Sequence, residues 1–495
     1  MRRTLLVVSL LVVVAGLSAL LGRALFPPRP TIDTLVQKTM QEWQVPGLAL
    51  VVVQGDRLLH LQGYGVRAIG KPAPMSPDTI FPIASCTKSF TTLAMGMLVD
   101  DGRLRWDDPM RKHLPYFHLS DPLADAAVTL RDLVTHRTGV GGHDLLWYGS
   151  GWSLEERIKH AGKLDLEVPF RAGFRYQVVM FGAAGVAAGN AAGTSWQDLV
   201  TQRILDPLGM KATRCTFPGD DSAELASPHR KDAEGNVTVM PRFVTTEPDP
   251  AGSIHSTARD LAAYLRFQLG DGSWQGKQLI SAVSLAEPQT AQVVLPLVGA
   301  ARSMNPETHL LNYGMGWIVQ DYRGKKLLMH GGSIDGFRAH LTLVPEARLG
   351  IGLLSNLDGG LANLAVSNSI VDLLLDLPTR DWCSYYLKLF EESEREARDR
   401  ANDLRARRSD QGPPRPLNAY AGTYEDAAYG PCKVEVADGK LLWNWGKVRC
   451  PLEHIERDTF LANHGPLVNT GFTFTASADG TVVSFRMMDR VFRRK

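Results

Sequence analysis

Two residues of complementary chemistry stand three apart in Ser85-Cys86-Thr87-Lys88. On a helix, positions three apart share a face, so the Lys88 amine would lie beside the Ser85 hydroxyl. An alcohol is a poor nucleophile at neutral pH. A lysine held in apolar, electropositive surroundings can shed its proton and serve as the base the alcohol needs. The bland alternative is an N-cap serine beside a solvated lysine. The apolar run that follows, SFTTLAMGMLV, makes free solvation of Lys88 less favourable.

Two later segments carry further polar groups. Tyr176, in FRYQVVMF, offers a phenol able to donate and accept a proton where neighbouring cations stabilise its anion; otherwise it is a core aromatic with a satisfied hydroxyl. His330-Gly331-Gly332 offers an imidazole that both donates and accepts, followed by two residues without side chains, which let a strand edge approach a substrate closely. His330 by itself is an ordinary strand-edge histidine.

The elements that must position these groups are legible in outline. Ile32, Leu35, Val36, Met40 and Trp43 have helical spacing, and VPGLALVVVQGDRLLHLQGYG reads as strand, Gly-Asp turn and strand. Ser85 to Val99 suits a buried helix, ended by Asp100, Asp101 and Gly102. Helical candidates dominate the middle, at 130–135, 153–161, 180–188, 195–205 and 256–269. From Met329 to Asn356 the pattern changes to three short antiparallel strands, with a long helix after Asn363. The expected fold is α/β (α+β): an antiparallel sheet flanked by helices, with a helical middle packed on it.

The ordered trio of Ser85-x-x-Lys88, the Tyr176 segment and His330-Gly331-Gly332 resembles the class C β-lactamase and penicillin-binding-protein-like serine hydrolase family. LVTHRTGVGGHDLLWYG, from Leu133 to Gly149, is similar to that family too, and the likeness covers roughly residues 31–377. It implies an antiparallel sheet flanked by helices beside an all-helical subdomain. It implies Ser85 as acylated nucleophile, Lys88 as its base or proton partner, and Tyr176 sharing proton traffic. His330 would orient a substrate carboxylate or support the Tyr176 network. The backbone N–H groups of Ser85 and Ser333 would receive the developing oxyanion. No cofactor is implied, and the substrate class is a small acyl or peptide-like molecule.

One position departs from the resemblance. Family members carry Asn two residues after the motif tyrosine, whereas this chain has Val178, whose side chain makes no hydrogen bond. Either Gln177 or Asn190 supplies the missing amide, or the centre is weakened. The departure puts β-lactam hydrolysis in particular doubt and leaves esterase, amidase and peptidase activity open. The competing reading is a catalytically impaired relative that binds peptidoglycan-like peptides or a protein at the membrane.

The remaining sequence sets the frame. Lys plus Arg number 54 against 52 Asp plus Glu, so no general field favours a nucleic-acid backbone. Thirteen histidines include no His-Glu-x-x-His, and neither a Gly-x-Ser-x-Gly elbow nor a phosphate loop occurs. Met1-Arg2-Arg3 precedes an uncharged apolar stretch from Leu5 to Gly22, halted by Pro27 and Pro28. It reads as a signal peptide or retained membrane anchor over residues 1–28, placing the bulk outside the cytoplasmic membrane, periplasmic or tethered there. The serine hydrolase domain is then 31–377, a charged helical linker 378–416, and a small β domain 417–495. Cys432 and Cys450 share that last segment, as a disulfide or as two reduced thiols.

Overall fold

The computed structural model describes residues 29–219, 224–232, 234–244, 247–408, 411–462 and 467–495. An eight-stranded antiparallel sheet forms the centre. Its strands in chain order are β1 (Gly47–Gln54), β2 (Arg57–Gly65), β3 (Val293–Val294), β4 (Leu311–Tyr313), β5 (Ile318–Tyr322), β6 (Lys325–Ile334), β7 (Phe337–Val344) and β8 (Leu349–Ser355). Their spatial order is β2-β1-β8-β7-β6-β5-β4-β3, so the hairpin at the start of the chain joins strands nearly 300 residues later. The expected antiparallel sheet is therefore present, built from both ends of the catalytic-size unit.

Burial on both faces explains why β1 reads as an unbroken apolar run rather than an alternation. Ala49, Val51 and Val53 pack into the core shared with the helical middle. Leu48, Leu50 and Val52 face the opposite layer. That layer is made by α1 (Ile32–Trp43), whose N-cap Thr31 forms a reciprocal capping box with Thr34, and by two later helices. The helices on the other side include α2 (Thr87–Asp100), α3 (Val178–Ala192) and α4 (Ala258–Gln268), and the later pair are α5 (Ala362–Leu374) and α6 (Trp382–Ala406). The last turns of α6 are charged and largely exposed, as EESEREARDRANDLRARR dictates.

The C-terminal strands β9 (Gly422–Asp426), β10 (Gly430–Ala437), β11 (Lys440–Trp445), β12 (Val448–Glu456), β13 (Thr459–Ala462), β14 (Thr470–Ala476), β15 (Val482–Met487) and β16 (Arg490–Arg494) close into an antiparallel barrel. Closure through β9 and β16 removes the exposed edges of an open sheet. The interior is filled by rings, among them Tyr424, Trp443, Phe460, Phe472 and Phe485, all essentially inaccessible to solvent. Cys432 on β10 and Cys450 on β12 are free thiols. Strand β11 lies between them, which puts them two strand spacings apart, about 9–10 Å, beyond the roughly 7 Å Cα limit of a disulfide.

The sheet meets α2 through a contact that tolerates no side chain. A Cβ on Gly332 would lie 2.1 Å from the carbonyl oxygen of Ile83, just ahead of Ser85. A Cβ on Gly331 would meet nothing within 4 Å. Of the two glycines, only Gly332 is sterically required. Gly332→Ala is expected to lower stability by about 1–3 kcal/mol, the usual range for overpacking, while Gly331→Ala melts as wild type. Equal melting curves for the two variants would refute this contact.

Several histidines are buried neutral. Burial pushes His330 down to about 3 and His255 and His340 down to about 4, from an ordinary value of 6.5. The unfolded chain takes up these protons below about pH 6.5, the folded chain only near 3–4, so acid favours unfolding through this window. Stability should be full above pH 6.5 and decline progressively toward pH 4. A melting temperature that is flat from pH 6.5 to 4.5, or a His340→Leu variant with an undiminished slope, would contradict it.

Candidate active site

Ser85 sits in a one-turn 3-10 segment, Ala84–Cys86, that runs directly into α2. The turn is held in a conformation L-residues avoid, with Ala84 at φ +46°. Such strain persists only where the surroundings over-determine it. Here they do, through the Ile83 amide donating to the Ile254 carbonyl (2.9 Å) and the Gly332 contact on the other flank.

Lys88 is completely buried one turn along α2. Its Nζ lies 3.1 Å from Ser85 Oγ and donates to the carbonyl of Ala251 at 2.8 Å. The Tyr176 hydroxyl donates to Ser85 Oγ at 2.8 Å, and Lys88 Nζ lies 4.9 Å from the centre of the Tyr176 ring. Serine, lysine and tyrosine thus converge on one oxygen, from α2 and from the residue two before α3.

Val178 is the first residue of α3, half-buried against the core. Neither expected substitute for the missing amide reaches Lys88. Gln177 caps α3 by accepting from the Val179 amide (2.8 Å), and its Nε2 donates to the carbonyls of Gly141 and Gly142. Asn190, near the other end of α3, donates to the His113 carbonyl. The Ala251 carbonyl binds Lys88 instead. Asp249 shapes that loop: its carboxylate accepts from the Ala251 amide at 2.9 Å and pairs with Arg157 at 3.0 Å, both side chains buried.

His330 is buried on β6. Its Nδ1 faces the Gly331 carbonyl at 2.7 Å, an acceptor only, so Nδ1 carries the proton and Nε2 accepts from the Tyr313 hydroxyl at 3.3 Å. Burial first, then the Lys88 charge, keep it neutral to about pH 3. A neutral, enclosed ring supports the aromatic wall behind Tyr176 and supplies no cation for a substrate carboxylate. Gly331 and Ser333 are exposed along the same strand, and Ser333 pairs with Arg338 on β7.

Sequence reasoning passed over His136. It stands at φ +57°, fully enclosed, its ring 4.4 Å from that of Tyr176 and 5.0 Å from that of Tyr313. The Gln177 amide donates to Nδ1 at 3.1 Å, which leaves the proton on Nε2, where it has no hydrogen-bond partner among the described residues. Burial holds the ring neutral, well below the ordinary histidine range. Its only sequence signal was its place in Thr135-His136-Arg137-Thr138-Gly139.

The segment 143–152 forms one rim. Tyr148 donates to Asp335, in the turn after β6, and stacks on Phe243 at 4.7 Å. The barrel grips the same segment from behind: Lys447 N–H donates to Gly149 O at 2.7 Å, His143 Nδ1 lies 3.0 Å from the Tyr429 hydroxyl, and Trp152 meets Trp445 edge-on. Among the described residues no group of His, Cys, Asp and Glu could hold a metal ion.

Residues 406–494 match a domain of unknown function, DUF3471. The chain is 26% identical over 463 residues to "Unguisins hydrolase ungD" of Aspergillus violaceofuscus, covering 86% of this chain and 81% of that protein. It is 25% identical over 331 residues to "Protein flp" of Staphylococcus aureus, covering 66% of this chain and 63% of that protein. The octameric penicillin-binding protein homologue from Pyrococcus abyssi superposes with a TM-score of 0.63 at 22% identity, over 93% of this chain and 98% of that one. EstCE1, a hydrolase with promiscuous acyltransferase activity, does so with a TM-score of 0.56 at 18% identity, over 68% of this chain and 96% of that one. With residues 32–375 matching its family description, the chain belongs to the beta-lactamase family and shares the serine-hydrolase fold of the penicillin-binding proteins.

Proposed function

We propose that the protein is a serine acyl hydrolase that opens an ester or amide through an acyl-Ser85 intermediate. The observation that carries this is the double contact at Ser85 Oγ, with Lys88 Nζ at 3.1 Å and the Tyr176 hydroxyl at 2.8 Å. In acylation the Ser85 proton passes into the Lys88 and Tyr176 pair as the Oγ–carbon bond forms. The same pair returns a proton to the leaving group as the scissile bond breaks. The Ser85 and Ser333 amides receive the developing oxyanion. A water then displaces the acyl group from Ser85. Relatives described as a hydrolase and as a promiscuous acyltransferase support acyl chemistry. The apolar leader supports a site outside the cytoplasmic membrane.

Esters are the favoured substrates. An ester needs less help for its leaving group than an amide, and Val178 contributes no polar side-chain group. The reading is tested with a fluorophosphonate probe, intact mass and peptide mapping: Ser85 is labelled in wild type, and Ser85→Ala loses both labelling and aryl-ester turnover. Tyr176→Phe should lower kcat by about 10²–10⁴-fold, the range of a lost acid–base group. An unlabelled Ser85 that still binds peptidoglycan-type peptides would instead establish the impaired binding module.

Val178→Asn tests the departure directly. If an amide at position 178 reaches the cleft as the resemblance implies, it should raise the ratio of amide to ester kcat/KM about tenfold, one charge-assisted hydrogen bond's worth. A ratio unchanged or lowered in the folded variant would mean that position 178 does not set the preference.

A further inference from the structure

The edge of the sheet at β3 and β4 carries exposed apolar side chains with no partner among the described residues. Val294 on the edge strand β3 is 73% exposed, Val298 70% and Leu310, leading into β4, 66%. Val294 and Leu310 lie along one margin: Val294 pairs with Asn312, two residues beyond Leu310, and the Leu295 amide donates to the Leu311 carbonyl at 2.8 Å, with Val298 three residues further along the chain. A cluster of large apolar side chains this exposed marks a contact surface.

The chain's own connectivity says what that surface can meet. Arg29 pairs with Asp376 at 2.9 Å, and two residues later Thr31 caps α1. Lys38 ties α1 to Asp381 at 2.7 Å. The loop between Asp376 and Asp381 in turn touches the apolar margin: Arg323 donates to the Pro378 carbonyl, and Arg380 pairs with Glu307 at 2.9 Å, three residues before Leu310. The apolar stretch Leu5–Gly22, outside the described residues, is only seven residues from Arg29. Fully extended, those seven residues span about 25 Å. A membrane holding that stretch must therefore face this end of the body.

We propose that this end, with Val294, Val298 and Leu310 entering the headgroup layer and Lys325 and Lys326 at the β5–β6 hairpin beside it, rests on a lipid bilayer surface. Exposed apolar side chains flanked by lysines suit an anionic interface. The orientation has a consequence for the site. Strand β6 begins at Lys325 on the membrane side and ends at Ile334 beside the cleft. Val294 lies level with Leu328 of β6, through Asn312 and Val319, and Ile334 is six residues further on; at about 3.3 Å per residue the cleft mouth stands about 20 Å beyond Val294, facing away from the bilayer. The proposal rests on the leader remaining with the chain and is independent of any reaction at Ser85.

The test uses the full chain reconstituted with phosphatidylglycerol-containing vesicles. All native cysteines are buried, so an environment-sensitive thiol dye will report single exposed cysteines introduced as Val298→Cys, Leu310→Cys and, as control, Leu123→Cys, a site 80% exposed on the helical side. Dyes at 298 and 310 are expected to shift to shorter wavelength and to lose emission to nitroxide-bearing lipid, while the dye at 123 does neither. Vesicle-bound protein in which 298 and 310 behave like 123 overturns the docking face alone. Failure to bind vesicles overturns the tether and the face together. A blue shift that is present without vesicles and insensitive to lipid nitroxide would assign the margin to a second copy of the chain, and so overturn the proposal.

Discussion

The carbonyl of Ile83 and the Cα of Gly332 are pressed so close that no side chain fits between them, and the site geometry hangs on that contact. On the other flank a Cβ at Gly316, in the turn between β4 and β5, would lie 2.9 Å from the backbone carbon and oxygen of Lys88. The first turn of α2 is thus clamped between a strand and a turn of one sheet at two glycines. Hydrogen bonds tighten the clamp from both sides: the Thr92 hydroxyl donates to the Met315 carbonyl at 2.9 Å, and the Cys86 thiol to the His330 carbonyl at 3.3 Å. The left-handed Ala84, a strain of about 1–3 kcal/mol, is what this approach demands of the chain. Its effect is to present Ser85 at the start of a helix whose next turn brings Lys88 to the same oxygen.

The third side of Lys88 is fixed from the helical region, through backbone rather than side chain. Arg157, on the helix Leu154–Ala161, pairs with Asp249; Asp249 accepts from the Ala251 amide; the Ala251 carbonyl accepts from Lys88. Breaking a buried ion pair by removing one partner costs about 3–5 kcal/mol, so this loop is held firmly. A carbonyl here does part of what a side-chain amide would do, since it accepts from Lys88. Unlike an amide it has no N–H to offer a substrate. The lysine is therefore satisfied without an amide at position 178, and Val178 offers no side-chain donor of its own.

What could be read from the sequence follows the range of the interactions. Ser85 with Lys88 is a spacing of three on one helix, and β1 with β2 is a hairpin, so both were legible as local pattern. The order β1-β8-β7-β6 was legible only as a set of strands with a family likeness, because register across 300 residues leaves no local mark. The Ala251 carbonyl was invisible, as any backbone acceptor is in a list of side chains. Gln177 looked like a spare amide near Lys88, but the unsatisfied amides at the start of α3 and the carbonyls of Gly141 and Gly142 claim it first. His136 was hidden for a different reason: its neighbours Tyr176, Phe174, Phe181 and Tyr313 come from distant segments. In the C-terminal segment alternating burial predicted strands, whereas closure and strand order, which separate Cys432 from Cys450 by β11, depend on pairing between β9 and β16.

The barrel's relation to the site follows from how it is filled and where it touches. An interior occupied by stacked and edge-on rings from every part of its wall leaves the barrel to act through its outside. That outside is specific. Gly446 stands at φ +53°, and a Cβ there would lie 2.4 Å from the Gly149 carbonyl, so the hairpin between β11 and β12 lies backbone to backbone against segment 143–152. His160 adds a hydrogen bond to the Ala428 carbonyl at 2.7 Å while stacked on Trp152, and Arg490 bridges Asp426 of the barrel to Asp165 of the helical region. The held segment then reaches forward through Tyr148 to Asp335, two residues past Ser333. A rigid module behind the rim and a hydrogen bond in front of it fix the width of the cleft between the helical region and β6. The charged stretch of α6 can therefore vary in sequence without disturbing the site, because the barrel's influence passes through its docking surface and not through the helix that connects it.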